Sequence, residues 1–283
     1  MDAILFRTHL DSPLIRREVA RLVTELGGRY DIFVVGYCRE PDALAGIAGA
    51  PVLAYTQAQI DALPYPGKTA QLRETHIGQQ ELPALKFFRE QPGYDHYWIV
   101  EYDVRFSGPW AELFTPLAAS AADVLATTVQ TYPHNPDWYH WDNFYPPAEA
   151  IPRQQRLKAF LPFCRLSHAA MDVLDAGYSA GWAGHSEVLA PTLAWRAGLK
   201  VEDIGSWGAF TPPARRGKFY KNSPLHRLLS PGTFVFRPAF LDDSADKALY
   251  APSGAPRGLL WHPIKESVEA GFHPDLILEQ AAT

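Results

Sequence analysis

Cysteine is scarce in this chain: Cys38 and Cys164 are the only two among 283 residues, and they stand far apart in no metal-type spacing. That excludes a disulfide framework and predicts two buried thiols in a reducing compartment. Long apolar runs are also missing, since no stretch approaches the ~18 uncharged residues of a membrane-crossing helix. The chain enters Ala3-Ile4-Leu5-Phe6 with neither a positive stretch nor a long apolar one ahead of it, so no secretory leader is expected. These absences predict a cytoplasmic protein, at most peripheral to a membrane. Positive charge is in short supply, with 26 Lys and Arg against 31 Asp and Glu for a net charge of −5. With no basic stripe, nucleic acid is not an expected partner. No glycine-rich phosphate loop follows the first strand, where Arg7-Thr8-His9-Leu10-Asp11-Ser12 stands instead. This argues against a dinucleotide dehydrogenase and against a P-loop kinase.

Proline and aromatic residues are plentiful: 25 Pro, 8 Trp and 13 Tyr. The prolines imply many loops of fixed path rather than long helices. Most of the rings are expected in the core, and the remainder suit flat, amphipathic contact surfaces. Ala3–His9 reads as a first strand, and Ser12 caps an amphipathic helix that Gly27-Gly28 stop near Leu26. Asp31–Tyr37 and Pro51–Thr56 read as further strands, Thr69–Arg89 as a helix kinked near Pro83, and Asp123–Gln130 and Phe160–Ser167 as strands. Later come a helix at Ser186–Gly198 and strands at Lys200–Ile204, Thr233–Phe236 and Gly258–His262. Strand, helix, strand with short connections is the pattern of a mainly parallel sheet covered by helices, so the expected class is α/β. With no repeat and no linker in view, a single domain over 1–283 is expected, its halves meeting near residue 130.

The run Tyr97-Trp98-Ile99-Val100-Glu101-Tyr102-Asp103-Val104 carries the most information. Apolar residues drive it inward as a strand, and alternation sets Glu101 and Asp103 on one face. Two acids at a buried strand end are costly unless a positive group lies between them, and a divalent cation serves. In open α/β sheets such strand ends are where ligands bind. An acidic turn of no chemical consequence is the competing reading.

Other segments add chemistry. Leu259-Leu260-Trp261-His262 delivers a histidine at a strand end, with Lys265 three residues on; imidazole suits manganese-like ions and lysine suits phosphate. Gly181-Trp182-Ala183-Gly184-His185-Ser186-Glu187 places Glu187 in the first turn of a helix. The helix dipole favours an acid there whatever its function, and keeps it ionised and competent as a base. A Ser-His-acid triad from His185, Ser186 and Glu187 is disfavoured, because adjacent residues at a helix start point apart. The aromatic segment Tyr132–Tyr145, with Trp138, His140, Trp141 and Asp142, has the composition of a carbohydrate cleft, or of a packed lid. Loops of this length in compact domains are usually functional. Arg215–Lys221 reads as a solvated loop more readily than as a diphosphate clamp.

Tyr94-Asp95-His96-Tyr97-Trp98-Ile99-Val100-Glu101-Tyr102-Asp103-Val104 followed by Gly108-Pro109-Trp110, a later glycine-flanked acid and a His after a late strand resemble the GT-A-fold nucleotide-sugar-dependent glycosyltransferases. The likeness is to a largely uncharacterised bacterial and fungal group and spans about residues 3–265. It implies a GT-A-like, mixed and mainly parallel sheet whose first half binds the nucleotide and whose second half binds the acceptor. It also implies a divalent cation, Mn2+ or Mg2+, held by Asp103, His262 and Glu101, with Glu101 a departure from the family's aspartate. Glu187 would be the base of an inverting, hexosyltransferase-type reaction. Arg7, Thr8, His9 and Lys265 would contact the donor, a UDP-sugar; Trp138, Trp141, Asp142, Trp182 and His185 would contact a carbohydrate or other hydroxyl acceptor. The same acids would also serve a metal-dependent nucleotidyltransferase or phosphohydrolase, or a non-catalytic nucleotide- or carbohydrate-binding protein.

Overall fold

The computed structural model describes residues 1–74, 79, 81–222, 232–236, 240–241 and 257–265. These fall into two compact units, one of Met1–Tyr102 and Ala121–Asp203, the other of Asp103–Ser120 and the described residues from Ile204 onward.

The first unit is built on a seven-stranded sheet. Its strands are β1 (Asp2–Arg7), β2 (Asp31–Tyr37), β3 (Val52–Tyr55), β4 (His96–Glu101), β6 (Val124–Thr131), β8 (Leu157–Ser167) and β10 (Val201–Asp203), in the order β10-β6-β8-β4-β1-β2-β3. All neighbours are parallel except β8, which runs antiparallel to both β4 and β6. The expected α/β class with a mixed, mainly parallel sheet is what forms. Ala3, Ile4, Leu5, Tyr97, Trp98 and Val100 are fully buried, as central strands covered on both faces require. Helix α1 (Pro13–Leu26) starts where the Ile15 amide donates to Ser12 Oγ at 3.3 Å, and Leu14, Ile15, Val19, Leu22 and Leu26 form its buried stripe.

Strand β8 carries an irregularity of consequence. On β6, Leu125 faces Arg165 but Thr127 faces Phe160, so extra residues of β8 bulge out between them. Pro162, which has no N–H to give a ladder, lies within the bulge. A second register shift follows on β6 between Thr127 and Gln130, and within it Thr128 takes a φ of 51°, an outlying conformation for a β-branched residue.

The kinked helix expected over Thr69–Arg89 is instead two. These are α3 (Pro66–Glu74) and α4 (Leu82–Glu90), preceded by the short α2 (Gln57–Asp61). Pro83 sits in the first turn of α4, where its missing N–H costs nothing, so it begins a helix instead of bending one. Helices α6 (His168–Ser179) and α7 (Ser186–Arg196) complete the unit. The aromatic segment after β6 is more regular than its sequence suggests. It has 3-10 turns at Tyr132–His134 and Tyr139–Asp142, and β7 (Phe144–Tyr145) pairs antiparallel with β9 (Ala183–Gly184).

In the second unit, β5 (Arg105–Phe106) pairs antiparallel with β12 (Leu260–Trp261), and β11 (Phe240–Leu241) pairs parallel with β13 (Ile264–Lys265). Helix α5 (Trp110–Ala118) buries Trp110, Leu113, Phe114 and Leu117. The strands expected over Thr233–Phe236 and Gly258–His262 shrink to a Phe234–His262 bridge and the two residues of β12. Among the described residues no helix is long and apolar enough to cross a membrane.

Candidate functional site

Strand β4 ends at Glu101, so Asp103 is aimed by the turn that follows and not by strand alternation. Its carbonyl accepts from the Ile264 amide at 2.9 Å, which brings the His262–Lys265 segment alongside within the second unit. The Asp103 carboxylate is only 4% exposed. Its Oδ2 lies 2.7 Å from Lys265 Nζ, and its Oδ1 lies 3.5 Å from His262 Nε2. His262 Nδ1 is 2.8 Å from the Val235 carbonyl, which can only accept, so that nitrogen carries a proton. In the neutral imidazole Nε2 is then the lone-pair nitrogen, and it points at Asp103. Asp103 Oδ1 is buried without a hydrogen-bond partner. Burial by itself would raise the Asp103 pKa; positive charge from an imidazolium at His262, from Lys265 and from Arg105 outweighs it and holds the group below the usual carboxylate range. An ionised, orphaned oxygen facing an imidazole whose tautomer is set by a backbone carbonyl fits a divalent cation.

In the first unit the strand register sets Arg7 of β1 opposite Glu101 of β4, and their side chains pair at 3.1 Å. Two residues expected in separate roles, donor contact and metal ligand, are thus partners. Thr8 is buried, its hydroxyl donating to the Leu10 carbonyl at 2.8 Å, and His9 meets Tyr102 edge-on at 4.9 Å.

Glu187 opens α7 as expected. It keeps some solvent contact, yet protein crowds its carboxyl closely enough that burial pushes its pKa up to about 8. Lys158 opposes that shift, the charge of Glu101 adds to it, and a hydrogen bond from the Leu161 amide opposes it again. Leu161 is free to donate because it sits in the β8 bulge, out of the ladder with β6. Lys158 is 2% exposed and lies over the Trp138 ring at 4.7 Å; burial depresses its pKa to about 7, and Glu187 partly restores it. The two groups thus sit close enough for the charge of each to act on the titration of the other. No sequence pattern marks Lys158, a lysine inside a strand.

A second buried pair braces this region. Lys68 of α3 meets Glu81, the N-cap of α4, at 2.7 Å and donates to the Gly184 carbonyl at 2.9 Å. Tyr178 donates to the same carboxylate at 2.7 Å. Gly184 has a φ of +136°, and a Cβ there would fall 2.3 Å from the Asn143 carbonyl oxygen, so only glycine fits directly ahead of His185 and Glu187.

Of the residues expected to contact an acceptor, Trp138, Trp141 and His185 gather in one ring cluster, with Trp138 edge-on to His185 at 6.3 Å, while Trp182 and Asp142 make contacts of their own. Trp138 and Trp141 are buried and meet edge-to-face at 5.2 Å, and the Trp141 indole donates to the Asn135 carbonyl at 2.7 Å. Trp182 packs against Phe144, and Asp142 is exposed and paired with Arg153. His185 is buried, stacks on His140 at 3.7 Å and accepts from the Glu187 amide, so burial holds both imidazoles neutral, His140 at about 4 and His185 at about 2. That use of His185 as a helix cap leaves no Ser-His-acid triad. The exposed large apolar rings in this segment are Tyr139 and Tyr145.

Residues 52–124 match the model of a family described as a protein of unknown function, DUF3405. No curated protein sequence matches the chain. Among solved structures, the galactosyltransferase LgtC in complex with donor and acceptor sugar analogues is similar at 10% identity, over 100% of this chain and 95% of that one, with a TM-score of 0.42. Core-mannan synthase A of Aspergillus fumigatus, in its Mn/GDP form, is 12% identical over 79% of this chain and 81% of its own, with a TM-score of 0.34. The apo form of mouse xyloside xylosyltransferase 1 is 14% identical over 70% and 82%, with a TM-score of 0.35. Overlaps of this extent assign no activity, and the chemistry rests on this chain's own residues.

Proposed function

We propose that this protein is a metal-assisted glycosyltransferase that moves a sugar from a nucleoside-diphosphate donor, a UDP-sugar, to a hydroxyl of a carbohydrate acceptor with inversion. The observation that carries this reading is the buried, partnerless Asp103 Oδ1 facing His262 Nε2, with Lys265 on the other carboxylate oxygen. Asp103 and His262 would hold a divalent cation, manganese or magnesium, with Glu101, one residue removed along the chain, as third ligand. Bound there, the ion supplies positive charge against the leaving diphosphate. Lys265 is a point charge suited to the same phosphates, and Arg7, Thr8 and His9 at the end of β1 line the base and ribose. The acceptor oxygen forms its bond to the sugar's anomeric carbon as the bond to the diphosphate breaks, and its proton passes to the Glu187 carboxylate.

Asp103→Ala is expected to abolish manganese-dependent binding of UDP in isothermal titration calorimetry. Undiminished binding removes the metal assignment. Glu187→Gln is expected to keep UDP binding within about threefold and to lose transfer by the 10²–10⁴-fold typical of a missing base; a fully active variant excludes Glu187 from that role.

A further inference from the structure

Trp207 is the most exposed large apolar side chain among the described residues, at 80%. An isolated exposed ring is unremarkable on a protein surface, but this one is held. Gly217, at a φ of +70°, lies directly beneath it: a Cβ there would fall 2.5 Å from Trp207 Cζ2 and 2.8 Å from Cε2. One side of the indole is therefore backed by bare main chain, and the rest is in solvent. A Cβ on Gly205 would come 1.9 Å from the Lys218 carbonyl oxygen, so the chain on either side of the ring is drawn together by two glycines.

Hydrogen bonds close the rest of the loop. Ser206 Oγ and Thr211 Oγ1 are 2.7 Å apart, the Gly208 amide donates to Ser206 Oγ at 3.1 Å, and the Lys218 amide donates to the Arg215 carbonyl at 3.1 Å. Phe219 follows with a φ of 68°, and its carbonyl accepts from the Leu260 amide of β12, the strand that leads into His262. The platform is thus anchored to the same segment that carries the proposed metal ligand.

The charge around it has one sign. Residues 204–222 contain Arg215, Arg216, Lys218 and Lys221 and no Asp or Glu. Arg216 and Lys218, which flank Gly217, are exposed. We infer that Trp207 on Gly217, with Arg216 and Lys218 beside it, is a binding platform for an anionic saccharide, the acceptor in the reaction proposed above. The apolar C–H face of a pyranose ring lies on the indole, and a carboxylate or phosphate on that sugar meets the guanidinium and ammonium groups. This assignment rests on the glycosyltransferase reading.

Trigalacturonate and its methyl ester share the same rings and differ in charge, and both are titrated into the wild-type chain and its variants. Trigalacturonate is expected to bind the wild type, its ester at least tenfold more weakly. Trp207→Ala should cost at least tenfold, Trp207→Phe less, and R216Q/K218Q should bring the acid down to the affinity of the ester. Titration with UDP and manganese should be the same in all variants. Absence of trigalacturonate binding, equal binding of acid and ester, or an undisturbed Trp207→Ala variant overturns the platform. Loss of UDP binding in Trp207→Ala reassigns the ring to the nucleotide and also overturns it. If UDP fails to bind the wild type while trigalacturonate behaves as expected, the glycosyltransferase reading and the acceptor role fall together, and the platform stands as an anionic-saccharide site alone.

Discussion

Glu187 is where local chemistry works against stability. A carboxyl held at about 8 in the folded chain, against about 4.3 when unfolded, keeps its proton over a range where the unfolded chain has lost it. The folded state therefore binds more protons, and this group's contribution to stability falls as pH rises from about 4.3 toward 8. Lys158, held down to about 7, gives up its proton within the upper part of the same range. Glu187→Gln, isosteric with the protonated acid, should melt near the wild-type temperature at pH 5 and above it at pH 8. Calorimetric scans at the two pH values check this, and a gap that narrows toward pH 8 contradicts the raised pKa. Glu187 was legible at this scale, since an acid in a first helical turn is visible in the sequence. Its raised pKa was not: the helix dipole predicts an ionised acid, whereas the burial and the Glu101 charge that raise it, and the Lys158 charge that opposes them, come from elsewhere in the fold.

Between elements, the Lys68–Glu81 pair ties α3 to α4, and through the Gly184 carbonyl it ties both to β9 and the start of α7. Lys68 is fully buried, and desolvation pulls its pKa down against the pull of Glu81. Removing one partner strands the other's charge, so Lys68→Met should cost about 3–5 kcal/mol in urea unfolding. The double variant K68M/E81L should recover much of that. A single-variant loss under about 1 kcal/mol is incompatible with a buried ion pair. Periodicity revealed α1, β1, β2 and β4, each a long patterned run. It missed the break between α3 and α4, because Pro83 signals a helix start as well as a kink. It also missed the β8 bulge, which is a matter of register between strands and leaves only Pro162 as a trace.

For the whole molecule, ligand linkage gives the simplest measurement. A nucleotide that binds only the folded chain stabilises it by ~2.7 kcal/mol at a hundred times its dissociation constant. UDP should raise the melting temperature more with manganese than with a chelator, and that difference should vanish in Asp103→Ala; equal shifts with manganese and with chelator contradict a metal-held diphosphate. The chain by itself determined the α/β class, since apolar runs of strand length alternating with an amphipathic helix have few other ways to bury their faces. It also determined which residue types were available for chemistry, Asp103, His262 and Glu187 among them. Only tertiary structure decided their partners. The Ile264 amide on the Asp103 carbonyl brings His262 and Lys265 to that carboxylate, strand register sets Arg7 on Glu101, and burial moves Trp138 and Trp141 inward while Trp207 stays in solvent. Such pairings join positions far apart in sequence, and local pattern holds no record of them.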